Sequence, residues 1–257
     1  MHFIGMPSNP FVSSLLLILS MMTIVYVISL IKNDYSVIDV FWPLGFLLVA
    51  SYKLDYGYVI NHTVIKIFVT IWALRLSFYL LYRIVKHGPD KRYRELQREW
   101  GKHHRIHAFF KVFMLQGAFM FLIAMPITTA TYVIETNILS LWLGSLIWLF
   151  GFLLELGADI QLYTFKQKSV NKGKYLMTGL YKYSRHPNYL GEIILWYGIA
   201  LIAIPNEYWY LSILGPTVLL FALYKFSGVP YAERNASKSP AYQVYMEKTG
   251  AIFPKIF

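Results

Sequence analysis

Four carboxylates, Asp39, Glu155, Asp159 and Glu192, sit in or beside long apolar runs, and Arg75 has a similar setting. An ionisable side chain in such a run is costly to desolvate and marks a candidate site. Glu155 and Asp159 are four residues apart, so a helix puts both on one face. Gln161 and Lys166 follow toward the end of that helix. The second concentration is the string Arg185-His186-Pro187-Asn188-Tyr189-Leu190-Gly191-Glu192. Pro187 disfavours helix at His186 and suits the first turn of a new one. Asn188 and Glu192 then lie one turn apart, with Arg185, His186 and Tyr189 close by. These donors and acceptors suit an amide, a ribose or a phosphate. Gly191 admits a neighbouring backbone or a flat ring at close range. No HExxH or ExxH element accompanies the carboxylates, so no metal is expected.

The elements that must position these residues are membrane helices. Of the 257 residues, 57% are hydrophobic and only 14% charged, against about 25% charged in a soluble domain. Phe11–Ile31 carries no charge, and about 20 helical residues span a bilayer core. No Lys or Arg precedes Lys32, so this run reads as a retained helix and not a signal peptide. Similar runs follow at Val37–Ser51, His62–Tyr82, Phe109–Val133, Ile138–Tyr163, Tyr189–Pro205 and Tyr208–Phe226. Val37–Ser51 is the weakest, because Asp39, Trp42 and Pro43 interrupt it. The fold class expected is all-α: a polytopic protein of about seven transmembrane helices, forming one membrane-embedded domain over residues 1–257.

The net charge of +11 would suggest nucleic acid for a soluble protein. Here its distribution points elsewhere. Nine of the 24 Lys and Arg lie between Arg83 and Lys111, six between Lys166 and Arg185, and five from Lys225 onward. With Lys32 and seven helices, all these fall on one face, which is the positive-inside pattern. The N-terminus is then outside and the C-terminus cytoplasmic. The expected partners are membrane lipids and a lipid-like small molecule, with no nucleic acid. Cysteine is absent, which removes thiolate chemistry.

Several motifs resemble the steroid 5-alpha-reductase-like superfamily, and most closely its mainly bacterial branch. They are Asp39–Phe46, the segment Ala73–Gly101 with Arg-Tyr-x-x-Leu-x-x-x-Trp-Gly, Phe113–Gly117, Ala158–Lys166, Gly179–Glu192 and the tail Tyr242–Pro254. The resemblance implies NADPH-dependent reduction of a carbon–carbon double bond conjugated to a carbonyl in a lipid or steroid-like substrate. It implies that Asp159 and Lys166 contact the cofactor, that Asn188 and Glu192 hold its nicotinamide end, and that Arg185 lies near ribose or phosphate. Glu155 stands where the steroid reductases carry Asn. Their substrate-side Glu and Tyr pair has no clear match, which leaves Asp39, Tyr35, Arg75 and Tyr79 as the catalytic candidates. Extra cations at Lys166, Lys168, Lys172, Lys174 and Arg185 favour the 2′-phosphate of NADPH over NADH. No Gly-x-Gly-x-x-Gly element is present, so helices and loops must build any nucleotide site.

Two other readings stand beside this one. Integral-membrane methyltransferases that use S-adenosylmethionine carry a similar Arg-His-Pro-x-Tyr-x-Gly motif, usually with paired glutamates in the tail, where this chain has Glu233-Arg234. A non-enzymatic transporter or assembly protein is the third. The bacterial inner membrane and the endoplasmic reticulum both fit as the location.

Overall fold

The computed structural model describes residues 9–54 and 59–255. These residues are helical apart from their connections, and their one β-type pairing is a parallel bridge between Ser184 and Gly250. The helices are α1 (Pro10–Lys32), α2 (Val37–Lys53), α3 (Ile60–His87), α4 (Lys91–Trp100), α5 (His104–Ala108), α6 (Leu115–Ile123), α7 (Met125–Ala130), α8 (Ile138–Gln167), α9 (Pro187–Ala203), α10 (Trp209–Phe221), α11 (Val229–Glu233) and α12 (Pro240–Lys248). A π-helical turn over Phe109–Met114 joins α5 to α6.

The boundaries follow local chemistry. Asn9 caps α1 by accepting from Phe11 N and Val12 N at 2.9 and 3.2 Å, with Pro10 in the first turn. Asn33 closes the same helix in the left-handed conformation at φ 50°, a role Asn tolerates. Gly88, at φ 79°, ends α3, and Asp90 then caps α4 by accepting from Arg92 N at 2.9 Å. α9 begins at Pro187, as its sequence requires.

Five helical stretches among the described residues are long and apolar enough to cross a membrane: Pro10–Lys32, Ile60–His87, Lys91–Ile123, Ile138–Gln167 and Trp209–Glu233. Two apolar runs expected as spans are shorter. α2 and α9 have 17 residues each, about 26 Å at 1.5 Å per residue. The run expected over Phe109–Val133 is also divided, its continuous helix stopping at Ile123 with Pro126 opening α7.

The chain divides into two compact units. The first comprises Met1–Ile138 and Ile202–Gly215, the second Leu139–Leu201 and Pro216–Phe257. In the first, α2 packs chiefly on α3 and α1, around Ile18, Met22, Phe46, Ile65 and Trp72. Several of its buried polar side chains are paired across helices. Ser14 meets Thr128 at 3.1 Å, Thr129 meets Ser212 at 2.7 Å, and Asn61 donates to Ile202 O at 2.9 Å. Such pairing is what a lipid-immersed interior demands, since no water is there to satisfy a hydroxyl or amide.

The second unit is organised by glycine. A Cβ on Gly191 would stand 2.5 Å from Glu155 N and 2.6 Å from Gly151 O; one on Gly151 would stand 2.5 Å from Leu195 N; one on Gly198 would stand 2.6 Å from Trp148 N. Backbone touches backbone at all three points, the close approach that small residues permit between membrane helices. Gly144 and Gly151 are seven apart, as are Gly191 and Gly198. The seven-residue repeat keeps both glycines of each helix on the shared seam. The room at Gly191 is therefore taken by the α8 backbone and not by a ligand ring.

Candidate functional site

In the second unit, the glycine seam brings the carboxylates of α8 beside the start of α9. Glu155 and Asp159 are only 3% and 7% exposed. Asn188 donates through Nδ2 to Asp159 Oδ1 at 3.3 Å. Two residues that the sequence offered separately are thereby joined. This bond uses one of the two Asn188 N–H groups and leaves its carbonyl oxygen available. Glu192 lies half-buried one turn further along α9. Tyr189 is half-buried, and its ring lies parallel to His186, with centroids 5.0 Å apart and planes 13° apart.

Other candidates have structural duties. Gln161 accepts from Leu180 N at 3.0 Å, at the start of a tight turn that Gly179 enters at φ 63°. A Cβ on Gly179 would stand 2.5 Å from Gln161 Oε1, so glycine is required there on both counts. The Gln161 oxygen thus pins the loop before α9. Tyr181 reinforces it by donating to Ala158 O at 3.4 Å. Lys166 is exposed at the end of α8, with Lys168, Lys172 and Lys174 exposed on the connection that follows.

Arg185, which the resemblance puts near ribose or phosphate, has a buried guanidinium that is engaged within the chain. Nε donates to Glu233 Oε1 at 2.8 Å, Nη2 to Glu233 Oε2 at 3.0 Å, and Nη1 to Thr249 O at 2.5 Å. Burial alone would lower its pKa, but the Glu233 hydrogen bonds and charge outweigh that and raise it, so the cation is permanent. His186 Nε2 shares Glu233 Oε1 at 2.8 Å. Tyr242 donates to the same oxygen at 3.3 Å. Burial, and then the Glu233 charge, push the Tyr242 hydroxyl above its ordinary range, which keeps it a donor. Backbone bonds from Arg185 N to Gly250 O and from His186 N to Ala251 O, at 2.9 and 3.0 Å, complete a clasp between loop and tail. Arg185 and His186 therefore position Asn188 and Glu192. Sequence reasoning missed Glu233 as their partner, although Glu233-Arg234 stands where the methyltransferases carry paired glutamates.

The substrate-side candidates lie in the first unit. Asp39 accepts from Tyr93 OH at 2.7 Å and from Arg92 Nη2 at 3.4 Å, with Arg83 Nη2 at 3.8 Å. Gln116 Nε2 in turn reaches the Tyr93 hydroxyl at 3.4 Å. The buried Tyr35 hydroxyl meets His104 Nδ1 at 2.8 Å. Arg75 and Tyr79, half-buried on α3, are not among the partners of Asp39. Tyr93 and His104 were overlooked. Tyr93 sits within the Arg-Tyr-x-x-Leu motif, which signalled kinship but no role.

The family described as "Protein of unknown function (DUF1295)" matches residues 25–249. The chain belongs to the DUF1295 family. The matched span runs from within α1 to Thr249, so it holds Asp39, Tyr93, both α8 carboxylates, Asn188 and the whole Arg185–Glu233 pair. DUF1295 is associated with steroid 5-alpha-reductase-like proteins, the group its motifs resemble. An uncharacterised protein of Schizosaccharomyces pombe is 27% identical to this DUF1295 chain, covering 97% of it and 81% of the relative. No solved structure matches.

Proposed function

We propose that this DUF1295 protein is an NADPH-dependent membrane reductase of a conjugated carbon–carbon double bond in a lipid or steroid-like substrate. The observation that carries the reading is the hydrogen bond between the nearly buried Asp159 of α8 and the half-buried Asn188 of α9. A carboxamide presents N–H donors and a carbonyl acceptor. The free Asn188 oxygen and the Glu192 carboxylate complement the donors, and the remaining Asn188 N–H complements the acceptor. The residues present therefore fit a nicotinamide end, and the exposed lysines from Lys166 to Lys174 suit its phosphates. When bound, the cofactor supplies the hydride. Reduction also needs a proton at the neighbouring carbon and stabilisation of the negative charge that passes through the carbonyl oxygen.

Replacing Glu192 by Gln tests this reading. The loss of one hydrogen bond to a charged group costs on the order of 1.5–3 kcal/mol, or roughly tenfold to hundredfold in affinity. Thermal shift of the purified chain, titrated with NADPH, NADH and S-adenosylmethionine, should show NADPH binding most tightly and Glu192→Gln weakening it. An unchanged NADPH affinity with a lower cofactor-free melting temperature would sink the reading. Protection by S-adenosylmethionine alone would move the site to methyl transfer.

The topology proposed is multi-pass, with α2 and α9 joining the five longer stretches to make seven. Seventeen residues are near the lower limit of about 17–25 for a spanning helix. The basic connections would then face the cytoplasm, with the N-terminus outside. Reporter fusions at the two ends should report opposite sides, and finding both on one side would exclude an odd number of spans.

A further inference from the structure

The first unit contains a cavity of about 730 Å³, a size typical of small-molecule sites. Its lining is unlike the apolar interior of the unit. Lys32 comes from the last turn of α1, Arg94 and Arg98 from α4, and His104 from the first turn of α5. Arg94 and Arg98 are four residues apart, so they share one face of their helix. Tyr35 and Tyr93 also line the cavity. The one carboxylate in the wall, Asp34, accepts from Ser36 N and Ser36 Oγ at its Oδ1, at 2.8 and 2.7 Å, and forms no ion pair with the lining cations among the described residues.

The contrast with neighbouring cations identifies what is missing. Arg92, on the same helix, is matched by Asp90 at 2.9 Å and Asp39 at 3.4 Å. Arg83 also reaches both carboxylates, at 3.7 and 3.8 Å. Lys32, Arg94 and Arg98 form no ion pair among the described residues. Three cations therefore line one concavity that holds a single carboxylate, an excess of positive charge. A bound anion would offset this excess. Two guanidinium forks and an ammonium match the oxygens of a phosphate, which takes bidentate hydrogen bonds from Arg.

We propose that this cavity binds a phosphate group, carried by a membrane phospholipid headgroup or by a free phosphate compound. The site is distinct from the residues assigned to the nicotinamide end, and its binding requires neither cofactor nor turnover. Lys32, at the end of the apolar α1, sets it at the level where a bilayer surface would lie, within reach of either source.

The purified full-length protein in a neutral detergent is titrated with inorganic pyrophosphate, and separately with phosphatidylglycerol in mixed micelles, phosphatidylcholine micelles serving as reference. Thermal unfolding and direct binding are read in the absence of nucleotide. Saturable binding is expected, with Arg94→Gln combined with Arg98→Gln weakening it by about tenfold or more. Arg94→Lys with Arg98→Lys should restore part of the affinity, since charge remains while the fork is lost. Lys225→Gln with Lys248→Gln, removing two cations outside the cavity, should leave it unchanged. Saturation by pyrophosphate identifies a free phosphate ligand, and saturation by phosphatidylglycerol alone identifies a lipid headgroup; either supports the site. No saturable binding of either probe, or binding indifferent to the loss of Arg94 and Arg98, overturns the proposal. A double Gln variant that unfolds is replaced by Arg98→Gln alone, judged by the same two readouts.

Discussion

Replacing Glu233 by Ala is expected to destabilise the protein by about 3–5 kcal/mol, because it leaves the buried Arg185 cation without a counter-charge. The melting temperature in detergent should fall by on the order of 10 °C. Arg185 is 9% exposed and Glu233 6%, so water cannot replace the lost carboxylate. The change also strips partners from His186 and Tyr242, both bonded to Glu233 Oε1. Arg185→Lys should not substitute for the native pair, since an ammonium cannot form the two parallel bonds to Oε1 and Oε2. Exchanging both residues for apolar ones of similar volume should recover part of the loss, as no charge is then stranded. Tryptophan fluorescence during heating gives the readout. A Glu233→Ala variant melting within a degree or two of the parent would show that the clasp is not what holds the loop to the tail.

Gly191→Ala should also be damaging, by a smaller amount and for a different reason. The added methyl would lie 2.5 Å from Glu155 N and 2.6 Å from Gly151 O, and both obstacles are backbone. No rotamer change relieves them, so α8 and α9 must part. Overpacking of this kind typically costs about 1–3 kcal/mol. Parting the helices also lengthens the 3.3 Å contact between Asn188 and Asp159, so NADPH affinity should fall along with stability. Gly157→Ala is the matched control. It lies on α8, the helix that Gly191 touches from α9, but its added Cβ meets only Leu180 Cδ1 at 3.5 Å, an ordinary contact. It should be silent or slightly stabilising, because Ala favours helix over Gly. Equal effects of the two substitutions would mean that helix propensity, and not the seam, decides the outcome.

The sequence by itself determined the all-helical class, because apolar runs near 20 residues with segregated charge admit little else. It determined where α9 starts, since Pro187 permits a helix after it and opposes one at His186. It also marked Asp39, Glu155, Asp159 and Asn188, each a polar group in or bordering an apolar stretch. Helix ends were less legible. α3 continues past Tyr82 to His87, and the run after Phe109 breaks near Ala124, because packing and proline outweigh average hydropathy there.

Which of these groups meet was decided only by the tertiary structure. Asp39 finds Tyr93 across 54 positions, Tyr35 finds His104 across 69, and Arg185 finds Glu233 across 48. Periodicity relates residues one or two turns apart and carries no information on pairings of that length. Those depend on the register between helices, which in the second unit is set where Gly144 and Gly151 lie against Gly191 and Gly198. The glycines were visible in the sequence, but their mutual contact was not, since a missing side chain announces room and not what fills it. Arg185 shows the same limit from the charged side. A cation beside a helix start reads as a phosphate contact until the fold brings up a carboxylate from the tail, and burial then makes that pair the stronger claim on its donors.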